Sequence, residues 1–188
     1  MIAGAVRAAK PPVNLMNVID TRTNEIVWRF SMSPAPSPMA IMANPDGSTK
    51  WIFAQNTRHG FAVVDFATRK EIKRIQNPDL PPGKATVPEG SDPSHGMAVT
   101  SDGKTLLVCS RLNNYLYSYS LPELKVLGSA ELTGKGAAWV TLTPDGKTAY
   151  VANPVTNDVS VVDIKSMKET TRIPVGFVPK RNTTGFLP

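Results

Sequence analysis

The sequence predicts an all-β fold, and three observations support this prediction. Asp-Gly dipeptides recur at Asp46-Gly47, Asp102-Gly103 and Asp145-Gly146, and such dipeptides are typical of turns between strands. Each dipeptide is followed by a short apolar run, a polar loop and a second apolar run. The 188 residues include 13 glycines and 17 prolines, which favour frequent turns over long helices. No apolar run approaches the ~18 residues that a membrane-spanning helix needs.

The predicted strands follow in the same order after each dipeptide. The dipeptide itself predicts a hairpin, because the favoured two-residue turn requires positive φ angles. A second hairpin follows the polar loop, and it contains a charged turn and a last strand. The first runs are Trp51–Ala54, Leu106–Cys109 and Ala149–Ala152, and the second runs are Phe61–Phe66, Tyr115–Ser120 and Val159–Ile164.

The spacing of the dipeptides indicates a repeat of about 43 residues. Asp102 and Asp145 are 43 residues apart, and the longer interval from Asp46 to Asp102 contains the Pro/Gly-rich segment 77–95. Four short strands per period, joined by tight turns, are typical of a β-propeller blade. Blades stack face to face, which explains apolar pairs such as Val161-Val162 that lack alternation. The sequence therefore predicts a β-propeller of four-stranded antiparallel blades.

We divide the chain into an irregular N-terminal segment, 1–12, and a propeller segment, 13–188. The propeller segment comprises a partial blade (13–33), three blades (about 37–76, 94–131 and 136–176) and the start of another blade (177–188). In such an incomplete ring, each end blade keeps one uncovered face, so we expect self-association through the end blades. The apolar residues expected to include exposed ones are Trp51, Phe61, Val63, Tyr150, Val159 and Val161.

The third complete blade contains "AYVANPVTNDVSVVDIKSMKETTRIPVG", residues 149–176, which resembles the YVTN repeat. The resemblance covers roughly residues 13–182. It implies a ring that usually has seven blades, of which this chain would be a fragment of about half. It also implies a periplasmic or extracellular location. We expect no signal peptide within residues 1–12, because only six residues precede Arg7, too few for the apolar region of such a peptide.

The candidate ligand-binding residues lie where loops should surround the mouth of the propeller channel. Counting back seven residues from each Asp-Gly aspartate gives Met39, His95 and Ala138 at equivalent positions. Aligning Pro179 with Pro93 places Arg181 there as well.

His95 and Arg181 depart from the repeat and are therefore candidates. Arg58 and His59 in one loop between second and third strands, and Arg111 in the next such loop, complete the set. The alternative for His95 is a structural role, because a histidine at the start of a strand often does no more than hydrogen-bond to nearby backbone.

Several other features favour structural interpretations. Asp20, Asp65 and Asp163 share one position before a turn and are interpreted as turn-capping acceptors rather than catalytic carboxylates. Cys109 is interpreted as a small buried apolar residue. The two histidines with Glu89 and Asp92 lack a metal-ligand spacing, so no metal site is predicted. The net charge of +6 is scattered and not interleaved with aromatic residues, so nucleic-acid binding is not predicted.

The leading functional hypothesis is a non-catalytic YVTN-type scaffold that binds a protein partner or a small ligand at the channel face. Such propellers are similar to the haem domain of cytochrome cd-type nitrite reductases, to amine dehydrogenase propeller subunits and to lactonases. The alternative is therefore a haem- or quinone-linked oxidoreductase domain or a lactonase-like enzyme. In the nitrite reductase case, the resemblance implies His95 as axial haem ligand and Arg111 or Arg181 as partners of the haem carboxylates. That family has several channel histidines, whereas this chain has two histidines in total.

Overall fold

The computed structural model describes residues 2–6, 15–32, 39–55, 59–78 and 94–185. These residues form antiparallel strands and no helix, and hence no helix that could cross a membrane. The strands pair in chain order into one three-stranded and three four-stranded sheets, which confirms the predicted all-β, blade-like architecture. The first sheet contains β1 (Ile2–Val6), β2 (Leu15–Asp20) and β3 (Glu25–Ser31); the second contains β4 (Met39–Ala43), β5 (Thr49–Gln55), β6 (Gly60–Asp65) and β7 (Lys70–Gln76); the third contains β8 (Ser94–Val99), β9 (Thr105–Ser110), β10 (Tyr115–Ser120) and β11 (Val126–Glu131); the fourth contains β12 (Trp139–Leu142), β13 (Thr148–Asn153), β14 (Asp158–Asp163) and β15 (Lys168–Pro174).

The expectation of an irregular segment over residues 1–12 is wrong for residues 2–6, the part of it that the structure describes. Strand β1 pairs with β2 over its whole length, from Ile2 opposite Ile19 to Val6 opposite Leu15. Its sequence, IAGAV, gives a weak strand signal because glycine and alanine are depleted in strands. Pairing with the edge of β2, a non-local interaction, is what makes this segment a strand.

All three Asp-Gly dipeptides lie in the turns between the first and second strands of the four-stranded sheets, as predicted. The turns are longer than the two-residue turn that the dipeptide suggests. In the third sheet, Thr100 N donates to Thr105 O at 2.9 Å, and Gly103 N donates to Thr100 O at 2.8 Å. Only the glycine has a left-handed φ, at 68° for Gly103. The aspartate instead accepts a backbone hydrogen bond, as Asp102 does from Lys104 N at 3.0 Å.

The interpretation of Asp20, Asp65 and Asp163 as turn-capping acceptors is confirmed. Asp65 Oδ1 accepts hydrogen bonds from the backbone N and the Oγ1 of Thr68. Asp163 accepts the same two bonds from Ser166, and Asp20 accepts bonds from the guanidinium and the backbone N of Arg22. These bonds to the charged form lower the pKa of each of the three carboxyl groups.

The sheets pack face to face through alternating side chains. Ile52 and Val64 of the second sheet belong to an apolar cluster with the first sheet, whereas Phe61 belongs to a cluster with the third sheet. The ring centroids of Phe61 and Tyr119 lie 5.2 Å apart across the latter junction. A third cluster joins Leu107 of the third sheet to Val151 of the fourth.

These junctions show which of the expected apolar residues are exposed. Phe61 and Val63 are only 2% and 0% exposed, so that expectation is wrong for them, because the third sheet covers their face. Tyr150, Val159 and Val161 of the fourth sheet are half-buried. Trp51 is also half-buried and packs on the cluster between the second and third sheets.

The innermost strands approach one another closely. Strand β8 contacts both β4 and β12, and Gly96 lies directly against the chain that enters β12. A Cβ atom at Gly96 would be 2.1 Å from Ala138 O, and the residue has a φ of 92°. A glycine is therefore required at this point, next to His95.

Candidate functional site

Four of the five candidate side chains lie at one end of the sheets. His59 directly precedes β6 and His95 is the second residue of β8, whereas Arg111 directly follows β9 and Arg181 follows β15. Because neighbouring strands are antiparallel, this end is opposite to the Asp-Gly turns. We call this end the rim. Arg58 lies outside the described residues.

The rim contains an aromatic and cationic stack centred on Trp139, the first residue of β12. The ring centroids of His95 and Trp139 are 4.0 Å apart, with an interplanar angle of 56°. The guanidinium carbon of Arg181 lies 5.8 Å from the Trp139 ring centroid, within the range of a cation–π interaction. Two successive innermost strands and the segment after β15 thus meet at one indole ring.

Hydrogen bonds attach the segment that carries Arg181 to the fourth sheet. Asn157 Oδ1 accepts from Val178 N at 2.8 Å, and Asn182 Nδ2 donates to Tyr150 O at 2.7 Å. Arg181 itself has a left-handed φ of 57°. These bonds lie on both sides of Arg181 and hold its backbone beside β12.

A second group of polar side chains connects the second and third sheets. His59 Nε2 is 2.8 Å from Ser110 Oγ, and the His59 ring lies edge-on to Tyr117 with centroids 6.3 Å apart. Ser110 pairs with Ser94, the residue before His95. Burial raises the pKa of Tyr117, whose hydroxyl accepts a hydrogen bond of 2.6 Å from Asn113 Nδ2. His59 and His95 are therefore linked through one strand pair.

Arg111 follows Ser110 directly and brings a cation to the same strand pair. The residue is half-buried, and its Nε atom is shielded from solvent without a hydrogen-bond partner in the described part of the chain. A guanidinium stays charged at all relevant pH values, and a buried donor without an acceptor is costly. Arg111 is therefore a half-buried cation without a paired acceptor among the described residues.

The carboxylates at the rim bond to other residues. Glu131, the last residue of β11, accepts from Tyr115 Oη at 3.0 Å. Asp158, the first residue of β14, forms an ion pair of 2.8 Å with Arg172. Among the described residues, no carboxylate forms an ion pair with Arg111 or Arg181. The centre of the rim is therefore positively charged.

Sequence reasoning did not identify Trp139 or Ser110 as rim residues. Trp139 follows Ala138, which the repeat places level with His95. The repeat alignment could therefore have placed Trp139 at the rim. The missing information was the contact between β8 and β12, which joins residues 44 positions apart. The role of Ser110 likewise depends on a contact between two sheets.

The remaining candidates have structural roles or lie outside the description. Cys109 is fully buried, and burial raises the pKa of its thiol, so it is no nucleophile. Within the described ranges, no group of three or more metal-ligating side chains is assembled. Glu89 and Asp92 lie outside these ranges.

Shallow grooves occur at the opposite end, between the Asp-Gly turns. One of about 370 Å³ lies between the third and fourth sheets, and one of about 620 Å³ lies between the second and third. The carboxylates lining the first groove serve their own turns, since Asp102 bonds to Thr100 and Asp145 bonds to Thr143, each at 2.6 Å. These grooves follow from the spacing of neighbouring turns.

The resemblance implies His95 as an axial haem ligand, and both rim histidines contact neighbouring side chains. Such a ligand presents an imidazole nitrogen to iron across an open face. His59 Nε2 is instead within hydrogen-bond distance of Ser110, and the ring of His95 packs on Trp139. The first contact engages a nitrogen of His59, whereas the second involves the ring of His95, so the haem interpretation remains part of the enzyme alternative.

Comparisons with known proteins support the fold. No protein-family model and no curated protein matches this chain. Among solved structures, the chain is similar to a chain of Kuenenia stuttgartiensis hydrazine synthase, a β-propeller-containing protein, with a TM-score of 0.66 and 22% identity. The match covers 84% of this chain and 42% of that chain, so this chain spans less than half of its length. At this identity the likeness shows the propeller-like fold alone.

Proposed function

We propose that this chain is part of a non-catalytic β-propeller scaffold that binds a small ligand or a partner at the rim. The observation that carries the proposal is the convergence of His95, Trp139 and Arg181 at one point. Arginine and tryptophan are the residues that most often dominate binding energy at recognition sites. Here they project from rigid strands and from an anchored segment, so little ordering is needed on binding.

The finer features of this proposal rest on the repeat. The match of residues 149–176 to the YVTN unit supports membership of that family, a ring of seven blades and a periplasmic or extracellular location. Sheets that stack in chain order, each buried against the next, support a ring built by continuation of the same unit.

The alternative is the haem- or quinone-linked oxidoreductase domain or lactonase-like enzyme that the resemblance implies, and the similarity to hydrazine synthase, an enzyme by its name, supports the shared fold alone. An absorption spectrum and a metal analysis of the purified protein test this alternative. A Soret band or a stoichiometric metal would replace the scaffold proposal with an oxidoreductase one. A spectrum with only aromatic absorption would contradict the haem-linked form of the alternative.

The proposed site is tested by following the three indole N–H signals of the protein by NMR. A panel of neutral, cationic and anionic small molecules is added in turn, and the Trp139 signal is assigned with the Trp139→Phe variant. We expect at least one compound to shift the Trp139 signal while leaving Trp28 and Trp51 unchanged. Trp28 is buried between the first two sheets, and Trp51 lies near the Asp-Gly end of β5, opposite Met42. Both indole groups therefore report on regions away from the rim. Shifts confined to Trp28 or Trp51, or no shift at all, would place binding elsewhere and contradict the proposal.

A further inference from the structure

We propose that the ligand bound at the rim is a small carboxylate, held by the guanidinium groups of Arg111 and Arg181 beside Trp139. This inference rests on the proposed function and specifies its ligand class. The first observation is the positive charge of the rim arginines. The rim carries two arginines without a carboxylate partner in the described part of the chain, whereas Glu131 and Asp158 bond to Tyr115 and Arg172.

The burial of Arg111 shows that its charge is more than a solvated surface charge. Its Nε is excluded from water yet has no acceptor among the described residues. Its Nε is shielded from a ligand as it is from water, so a ligand oxygen would bond the outer N–H groups of this half-buried guanidinium in a charge-assisted hydrogen bond. Such a gain is available only to an acceptor, and it is largest for an anionic one.

Arg181 is held in place before any ligand arrives. Its guanidinium lies over the Trp139 ring, and bonds from Val178 and Asn182 fix the backbone on either side. Stacking on the indole leaves the edge of the guanidinium plane, where its N–H groups point, available for hydrogen bonds. The two arginines lie at the same end of the sheets, because Arg111 follows Ser110, Ser110 pairs with Ser94, and His95 contacts Trp139.

The donors suit an anion that offers two oxygens. A planar guanidinium matches two oxygens of a carboxylate in a bidentate pair, and it pairs with phosphate in the same way, so phosphate is the competing anion. Phosphate sites are commonly built from backbone N–H groups at a helix N-terminus, and the described part of the chain contains no helix. A carboxylate of a small organic acid is therefore the ligand that this surface suits best.

Titrations with benzoate, succinate and citrate at constant ionic strength test the proposal, with inorganic phosphate as the competing anion. Binding is followed by the Trp139 indole signal and by calorimetry. We expect saturable binding of at least one carboxylate, and about tenfold weaker binding in each of Arg111→Gln and Arg181→Gln. Arg111→Lys and Arg181→Lys keep the charge but lose the planar fork, and should also bind more weakly.

Arg69→Gln is the matched control. Arg69 also has a left-handed φ, at 58°, and its guanidinium also lies 5.8 Å over an indole, that of Trp28, but in a turn at the opposite end. Its replacement should leave affinity within about twofold. An equal loss in Arg69→Gln, unchanged affinity in both rim variants, or tighter binding of phosphate than of every carboxylate would overturn the proposal. If only neutral compounds shift Trp139, the carboxylate inference fails while the proposed rim function stands.

Discussion

At the scale of single residues, the rim depends on positions where the backbone leaves no choice of side chain. Gly96 has a φ of 92°, and a Cβ atom added at this residue would lie 2.1 Å from Ala138 O. Any side chain there would push β8 away from the start of β12. The contact between His95 and Trp139 therefore exists because the residue after His95 is a glycine.

Gly96→Ala should be strongly destabilising. Strain at positive φ and the clash with backbone together should cost about 3 kcal/mol of unfolding free energy. Gly47→Ala is the control, because Gly47 also has positive φ, at 81°, but nothing lies within 4 Å of its missing Cβ. It should lose only about 1 kcal/mol. Urea unfolding of both variants measures the difference, and similar losses would show that the close approach at Gly96 contributes nothing.

At the scale of elements, the hairpins were predictable because their signals are local. The Asp-Gly dipeptides and the capping aspartates specify turns through hydrogen bonds within a few residues, so the sequence alone indicates where strands begin and end. Two details depend on more distant interactions. The register shift between Met42 and Ala43 changes the number of residues between the Asp-Gly turn and each position of β4. Met39 therefore lies level with Met97 and not, as the counting predicted, with His95. Strand β1 forms only through its pairing with β2.

The turn aspartates should make stability depend on acid pH. Hydrogen bonds from Thr68 and Ser166 hold the pKa of Asp65 and Asp163 below the ordinary value of 3.8. A lowered folded-state pKa stabilises the fold above the unfolded value, and this stabilisation is lost as the pH falls through the folded value. We expect the urea midpoint of the wild type to fall steeply below about pH 4. The double variant Asp65→Asn, Asp163→Asn, which keeps an acceptor oxygen but cannot titrate, should show a shallower decline over the same range.

Glu123→Gln is the control for this pH dependence. Glu123 is exposed in a turn of the third sheet and accepts no hydrogen bond in the described part of the chain. Its replacement should leave the acid decline as steep as in the wild type. If the double variant declined as steeply as the wild type, the turn hydrogen bonds would not contribute to acid sensitivity.

At the scale of the whole molecule, the order of the sheets follows from the repeat, but the site does not. Apolar runs that lack alternation, such as Val161-Val162, indicate that both faces of a middle strand are buried, and the sheets indeed pack in chain order. The stack on Trp139 needs the distance between two innermost strands and the path of the chain after β15. Neither quantity is encoded in one repeat unit, so the sequence identified His95 and Arg181 but not the residue between them.

The packing of the sheets also predicts how the 188-residue chain behaves in solution. Phe53, Phe61, Leu107 and Leu116 face the next sheet and are 0 to 2% exposed, whereas Tyr150 and Val159 at the matching positions of the fourth sheet are half-buried. Covering such an apolar face is favourable by ~25 cal/mol per Å². We therefore expect concentration-dependent self-association of this 20.3 kDa chain in light scattering.

Two variants distinguish association through this face of the fourth sheet from nonspecific association. Val159→Lys places a charge within the uncovered face of the fourth sheet and should shift the chain towards monomer, because burying the charge in a contact would be costly. Val126→Lys places the same charge on β11, the outermost strand of the third sheet, where Val126 is already 49% exposed. It should leave association unchanged. A wild-type chain that remains monomeric at all concentrations, or equal effects of the two variants, would show that this half-buried face of the fourth sheet does not mediate association.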